Sequence, residues 1–392
     1  MTRRDVVITG IGLVSSLGEG PEAHWAALNN GAKPVVDAAS FAPFPVHPLP
    51  ALSLDAQIPK KGDQRQMEPW QRLGTYAAGL AIDHAGARGL VSDMHLVVAA
   101  GGGERDVAVD EAVTAALTSA APEASGALLN EKLATELRPT LFLAQLSNLL
   151  AGNISIVHGV TGSSRTLMGE EEAAADAIRI AAARLAEGRG ESALVGGAFA
   201  SQRWDMVLLY APGGVLWQGD YAPISARGDA GGLMLGAMAA FLVLETAEHA
   251  QARGAKALAR IGAIASDAAH QRAGGGSATA AAALWQGMAP ASTAGLGVIS
   301  GMTGVAEARV EEEAFLATLG SVPLRRSGSV LGHGVEASFP ANVALAALAL
   351  SQNGFYPKMD PADAGDGAVE RILVTGFGQW RGEALALLEK AP

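Results

Sequence analysis

The chain has 392 residues, of which 49% are hydrophobic and only 17% charged, so it can bury a large core and does not have the composition of a disordered protein. Its formal net charge of −11 argues against a broad nucleic-acid surface, because such a surface needs basic residues to displace counterions. The absence of cysteine from this sequence excludes structural disulfides, thiolate zinc sites, iron–sulfur clusters and cysteine nucleophiles.

The start of the sequence does not resemble a secretory signal. The apolar run at 6–8 follows Arg3-Arg4-Asp5, and it is too short and too soon broken by glycine for a signal peptide. No apolar stretch of membrane-spanning length lacks polar or glycine breaks. We therefore expect a cytoplasmic protein without a membrane span.

Strands and helices alternate along the first 250 residues. The predicted elements, in chain order, are a buried strand at 6–12, a helix at 22–28, a long amphipathic helix at 69–85, a buried strand at 96–100, a helical segment at 141–151, a helix at 170–187, and strands at 194–197 and 241–244. The four prolines between 41 and 50 indicate a surface excursion. This alternation favours a layered α/β architecture.

The pattern restarts after a polar helix that we predict to run through residue 257. The later elements are strands at 259–265, 297–300 and 372–378 and a strongly apolar helix at 342–350. The sequence ILVTGFG at 372–378 is similar to VITGIG at 7–12. Two such strand–glycine signatures, one early and one late, suggest an internally duplicated fold.

Common cofactor and metal motifs are missing. Gly10-Ile11-Gly12 follows a strand, but Ser15 occupies the place of the third glycine of a dinucleotide-binding fingerprint. No spacing of histidines and carboxylates indicates a metal site, and no Gly-x-Ser-x-Gly elbow is present. We expect neither a cofactor nor a metal.

Two local features could carry chemistry. Three consecutive glutamates, Glu170 to Glu172, open a predicted helix, where their charge interacts favourably with the helix dipole even if they are only solvated. His333 lies between glycines, which leave its surroundings open to a ligand. Each feature alone is more often structural than functional.

A family resemblance gives these features a meaning. RDVVITGIGLVSSLG at 4–18 resembles the opening of elongating β-ketoacyl-acyl carrier protein synthases of the synthase II type. Further similar pieces follow in the same order: Trp25, Leu28, 149–155, 185–188, 195–197, 241–245, 248–250, 253–256, 331–333 and 375–378. They cover nearly the whole chain, which is identified on them as a member of that family.

The resemblance implies a thiolase-like fold, in which two related α/β halves form five layers in the order α-β-α-β-α. We assign residues 1–250 to the first half and 251–392 to the second. The resemblance further implies a dimer with an extended interface and an acyl carrier protein as docking partner.

The catalytic positions depart from the family. Counting back from Gly188 and Gly196 places the family's nucleophilic cysteine at Glu171, whereas counting forward from 154–156 leads to Val160. We adopt Glu171, because it lies at a helix start, where the dipole would lower a thiol pKa.

The remaining site positions follow from the same comparison. The family's first histidine is replaced by Ser300, with Glu311 at the position of an associated glutamate, and the second is retained as His333. A lysine and a glutamate that accompany the second histidine are replaced by Gly328 and Asn342. The phenylalanine that gates the family's acyl pocket is retained as Phe377.

These substitutions predict a protein that does not condense acyl chains unaided. Without a thiol the covalent route is lost, and the loss of one oxyanion donor typically costs about 10²–10³ in rate. We expect a chain-length-factor-like subunit that pairs with an active ketosynthase in fatty-acid, very-long-chain acyl or polyketide biosynthesis. A homodimer remains open for the chain alone, and so does its status as an enzyme.

Two alternatives stay open at this stage. Some relatives without the cysteine decarboxylate malonyl groups on the carrier, although that activity should need both histidines. A repurposed enzyme could instead use Glu171 as a general base beside His333, because burial can raise a glutamate pKa into the working range.

Overall fold

A computed structural model gives the fold and describes residues 3–101, 103, 105–139, 141–267, 276–288, 292–380 and 382–391. The strands in this part of the chain are β1 (Val6–Ser15), β2 (Gly18–Glu19), β3 (His95–Ala99), β4 (Ser164–Leu167), β5 (Ser192–Phe199), β6 (Met238–Thr246), β7 (Ala259–Asp267), β8 (Leu296–Ser300), β9 (Leu324–Arg326), β10 (Arg371–Phe377) and β11 (Glu383–Glu389).

The helices alternate with these strands. They are α1 (Pro21–Asn29), α2 (Lys61–Gln66), α3 (Pro69–His84), α4 (Val107–Ser119), α5 (Pro122–Glu136), α6 (Leu141–Ala144), α7 (Leu149–His158), α8 (Glu170–Ala186), α9 (Trp204–Tyr210), α10 (Ala247–Ala252), α11 (Gly276–Gly287), α12 (Ala306–Thr318), α13 (Gly328–Leu331) and α14 (Ser338–Ser351). None of the helices in the described part of the chain is long and apolar enough to cross a membrane.

Ten of the eleven strands in the described part of the chain form two groups of five with the same topology, and β2 pairs with β1 outside them. In the first group, β4, β3 and β5 are parallel. β6 pairs with β5, and β1 with β6, each antiparallel to the strand beside it. In the second, β9, β8 and β10 are parallel, and β11 and then β7 follow in antiparallel orientation. This repetition confirms the expected pair of related halves.

The two groups join into one sheet through a short pairing of β1 with β7, in which Val7 lies opposite Arg260 and Ile8 opposite Ala259. The assignment of 1–250 and 251–392 as separate units stays a prediction, because this pairing makes the sheet continuous.

Helices α8 and α14 form the middle layer. Helix α8 contacts strands of both groups, β3 and β5 on one side and β7 and β11 on the other, and α14 contacts β6 and β10. Helix α3 covers the outer face of the first group, and α11 packs on β7 and β11 outside the second. The result is the expected α-β-α-β-α layering, with α14 buried on all sides from Phe339 to Leu350.

Some predicted boundaries are wrong. The first strand continues past Gly10 and Gly12 to Ser15, because these glycines do not make a turn but let α3 approach closely. A Cβ at Gly12 would overlap the carbonyl oxygen of Ala77 in α3.

Two predicted helices differ in length from those in the structure. The segment predicted at 141–151 consists of α6 and the start of α7. The polar helix expected through residue 257 is the short α10, which ends at Ala252 before a left-handed Gly254.

Candidate functional site

The start of α8 meets the segment before α14, and this junction joins Glu171 to His333. His333 Nε2 lies 2.7 Å from Glu171 Oε1, and the two side chains are only 5% and 8% exposed. The backbone N–H of Gln379 also points to this oxygen, at 3.3 Å. A carboxylate only accepts hydrogen bonds, so Nε2 carries the proton and donates it.

The environment of Glu171 favours its ionised form. Burial raises the pKa of Glu171, but the hydrogen bond and charge of His333 and the backbone N–H groups of Glu171 and Gln379 hold the pKa below its usual value. The positive end of the α8 dipole acts in the same direction. The Nε2–H of His333 is therefore committed to a neighbouring carboxylate and is not directed at open space.

Ser300 has a separate carboxylate partner. Its hydroxyl donates to Glu312 Oε1 at 2.5 Å, and Thr375 Oγ1 donates to the same oxygen at 2.6 Å. Burial raises the pKa of Glu312, although these hydrogen bonds oppose the rise. The comparison with the family selected Glu311, which instead accepts from the N–H of Ala278. Adjacent helical residues point about 100° apart, so only one of the two faces Ser300.

Gly328, His333 and Asn342 line one small gap. The gap has a volume of about 10 Å³, which is about enough for one water molecule. A Cβ at Gly328 would lie 2.9 Å from both Ile224 Cδ1 and Met302 O, so a lysine there requires the surroundings to move.

Phe377 is not part of the lining of this gap. It is fully buried at the end of β10, where its ring packs against that of Phe315 with the ring centroids 6.2 Å apart. It is not among the residues that line the gap at His333 or the larger cavity described next. Its role as a gate of an acyl pocket stays a prediction.

A larger cavity of about 340 Å³ opens on the other side of the α8 start. Its acidic side chains are Glu170 and Glu336, and Tyr210 lies on the same wall. Burial, with the charges of Glu171 and Glu170, raises the pKa of Glu336 to about 7. Burial and the same group of carboxylates also raise the pKa of Tyr210, which therefore stays protonated.

The backbone is strained at two points on this cavity. Glu170 has φ of +60° and Val335 has φ of +43°. Positive φ is uncommon outside glycine and is a genuine outlier for a β-branched residue such as valine. Such strain concentrates at functional sites, which makes this cavity a candidate site.

Sequence reasoning missed Glu336, Glu312 and Gln379. Glu336 carried a usable signal, because it is the only acidic residue in the apolar run 329–350. The sequence offered no such signal for Glu312, which is the middle of three adjacent glutamates, or for Gln379, which acts through its backbone N–H. Among the described residues, no group of three His, Asp or Glu side chains is placed to hold a metal ion.

Comparisons with known proteins agree with this fold. A family model described as "Beta-ketoacyl synthase, N-terminal domain" matches residues 3–250. The 3-oxoacyl-[acyl-carrier-protein] synthase 2 of Vibrio harveyi is 30% identical over 271 residues, which are 67% of this chain and 62% of that protein. The chain therefore spans less than two thirds of this relative's length.

Solved structures also match along the full chain. "The ishigamide ketosynthase/chain length factor" has a TM-score of 0.81 at 21% identity and covers 100% of both chains. A second, "AntDE:AntF (apo): type II PKS acyl-carrier protein in complex with its ketosynthase bound to the hexaketide", has a TM-score of 0.77 at 18% identity, again with 100% coverage of both. At these identities the likeness shows the fold, and the expected thiolase-like fold is confirmed.

Proposed function

Because this chain belongs to the β-ketoacyl synthase family, we propose that it is a non-condensing member that partners an active ketosynthase, as a chain-length factor does. It would serve fatty-acid, very-long-chain acyl or polyketide biosynthesis. The observation that carries the proposal is the buried hydrogen bond of 2.7 Å between His333 and Glu171, which occupies the retained histidine.

None of the three residues that we assign to catalytic positions offers a free nucleophile or hydrogen-bond donor for condensation. Glu171, which we assign to the nucleophile position, has no thiol and cannot accept an acyl group as a thioester. The hydroxyl of Ser300 donates to Glu312, and the Nε2–H of His333 donates to Glu171, so neither is directed at a developing oxyanion. The gap of about 10 Å³ beside His333 has no room for an acyl group.

The same contacts weigh against the two alternative functions. A malonyl-carrier decarboxylase needs hydrogen-bond donors for the enolate, and both candidate positions donate to carboxylates instead. A general base at Glu171 needs a raised pKa, whereas the His333 hydrogen bond helps to lower it.

One edge of the sheet supports a partner role. β4 is the end strand of the first group in the described part of the chain, and its residues Ser164 and Arg165 are exposed. Leu96 N–H donates to Ser163 O, and Ala100 N–H donates to Leu167 O. Backbone groups alternate in direction along a strand, so those of Ser164 and Thr166 face the open edge. An open edge of this kind is a template for pairing with a second chain.

Helices α4 and α5 are also not packed into the core. Neither α4 nor α5 contains a buried residue, although α4 is rich in valine, alanine and leucine. A groove of about 600 Å³ separates α4 from α9, and its walls include Leu208 and Leu209, which are 56% and 62% exposed. We propose that a second subunit of the ketosynthase fold binds at this groove and edge. The isolated chain would form a homodimer there with lower affinity.

The decisive experiment combines the chain with a candidate partner synthase and an acyl carrier protein. Mass spectrometry of the carrier should show no malonyl loss and no elongation with this chain alone, and elongation once the partner is added. Malonyl loss by the lone chain would favour the decarboxylase, and a β-ketoacyl product from it would refute the proposal.

An edge-strand variant makes the partner test specific. Thr166→Pro removes an N–H that faces the open edge, so it should block pairing with a partner and leave the β3 ladder in place. Thr166→Val keeps the N–H and is the matched control. Size-exclusion chromatography after co-expression should give a heterodimer with the valine variant and separate subunits with the proline variant. A heterodimer of unchanged stability with the proline variant would exclude β4 as the contact.

A further inference from the structure

The cavity beside the α8 start contains a carboxyl group that the proposed partner role does not use. Glu336 lines this cavity and is 6% exposed. Its side chain has its own backbone N–H as a hydrogen-bond partner, and it makes no hydrogen bond or ion pair with another residue of the described part of the chain. A buried carboxyl without a cationic or side-chain partner is costly, so it indicates a ligand that supplies one.

The glycine opposite Glu336 leaves room for this carboxyl. A Cβ at Gly101, which also lines the cavity, would lie 2.7 Å from Glu336 Oε1. Glu336 itself follows the strained Val335, and Glu170 on the same cavity is strained as well. Two strained positions and a tight glycine hold the two glutamates at one end of the cavity.

The local charge is negative. Glu170 and Glu171 act on Glu336 strongly enough to raise its pKa in addition to the effect of burial. Arg203 is the basic residue on the cavity wall, but its guanidinium pairs with Asp205 and donates to Gly103 O at 3.1 Å. The carboxylates would therefore repel an anionic ligand. The charge of Arg203 would not offset this repulsion, because Asp205 already neutralises it.

The rest of the wall is apolar and aromatic. Its large side chains are those of Trp70, Met168, Phe199, Met206, Leu209 and Tyr210. The volume of about 340 Å³ falls in the range of small-molecule sites, roughly 300–1,000 Å³. Aromatic rings add a favourable interaction with a cation that lies over their faces.

We propose that this cavity binds an organic ammonium ion, a primary amine on a hydrocarbon body, with the ammonium at Glu336 and the hydrocarbon against the apolar wall. This site lies within the single chain, so failure of the chain to pair with a synthase would leave the proposal standing. Equally, failure to bind amines would not bear on the partner role.

The test is isothermal titration of the full chain at pH 8, where Glu336 is ionised and an alkylamine is protonated. The probes are 1-hexylamine, 1-hexanol and hexanoate, which share one chain length and differ in charge. Hexylamine should bind at least tenfold tighter than hexanol, and hexanoate should bind weakest. Equal affinity for amine and alcohol would overturn the proposal.

Two variants tie binding to this cavity. Glu336→Gln should weaken hexylamine by between tenfold and about a hundredfold, the range for a hydrogen bond to a charged group, and leave hexanol within about twofold. Glu131→Gln removes an exposed carboxylate on α5 and should change neither. Met206→Trp fills the cavity and should abolish binding of both probes. Unchanged amine affinity in Glu336→Gln or in Met206→Trp would refute the site.

Discussion

Glu336→Gln should stabilise the protein, and the gain should grow with pH. The ordinary pKa of this carboxyl is 4.5, and in the folded chain it is about 7, because the side chain is buried near other carboxylates. At pH below about 4.5 both the folded and the unfolded state hold the proton, so the group has no effect. As pH rises from there to about 7, only the unfolded state releases its proton, and the free energy of unfolding falls.

The size of this effect follows from the two pKa values. The interval from 4.5 to about 7 corresponds to about 3 kcal/mol once both states are ionised. Glutamine has the shape of the neutral carboxyl and does not ionise, so the variant escapes this penalty. We expect its advantage in the free energy of unfolding to be about 2–3 kcal/mol larger at pH 8 than at pH 5.

Urea denaturation followed by circular dichroism measures this difference. Wild type, Glu336→Gln and the exposed-site control Glu131→Gln would be compared at pH 5 and pH 8, with the slope of each transition checked for constancy. The control should follow wild type at both pH values. A Glu336→Gln advantage that does not grow with pH, or a variant less stable than wild type at pH 8, would refute the placement of an unpaired carboxyl at this position.

Further predictions concern the positions that we propose to be replaced catalytic residues. Glu171→Cys should not restore condensation in a carrier-based mass spectrometry assay, because a missing oxyanion donor alone costs about 10²–10³ in rate; full activity would refute our account. Glu171→Ala should lower the free energy of unfolding by about 1–3 kcal/mol, because it leaves the buried Nε2–H of His333 without an acceptor, whereas Glu171→Gln keeps an acceptor and should cost less in the same urea experiment. Gly328→Ala should cost about 1–3 kcal/mol, because its Cβ lies too close to Ile224 and Met302 O, and Gly328→Lys should cost more. Gly126→Ala, in open space on α5, should instead be neutral or stabilising.

Much of the fold could be predicted from the sequence, because buried strands and apolar helices leave local patterns. The strand predicted at 372–378 overlaps β10 except for its last residue, and the helix predicted at 342–350 lies in α14. What the pattern could not give is the close packing of one element on another. Gly12 was interpreted as the end of a strand, whereas it is the contact point with Ala77 of α3.

The candidate site was predicted one residue at a time and not as a set of contacts. Glu171 and His333 are 162 positions apart, and only the packing of α8 against the segment before α14 brings them to 2.7 Å. The choice between Glu311 and Glu312 depends on the rotation of α12 about its axis, which three consecutive glutamates do not reveal. To recognise Glu336 as a site residue, one has to know that its side chain is buried. The sequence shows only a single acidic residue in an apolar run.

The contacts at the replaced positions argue that these residues act together. Glu171 accepts the hydrogen bond of His333, and Glu312 accepts that of Ser300. At Gly328, Ile224 Cδ1 and Met302 O lie 2.9 Å from the place that a Cβ would take. On the proposed assignment, each of these residues stands where condensation needs another group, and its contacts engage the groups around that position. The pairing is incomplete, because Glu171 Oε2 and Glu312 Oε2 are buried without a hydrogen-bond partner among the described residues. We propose that the paired oxygens keep this region of the scaffold packed for a partner synthase, and that the unpaired oxygens are the part of it that costs stability.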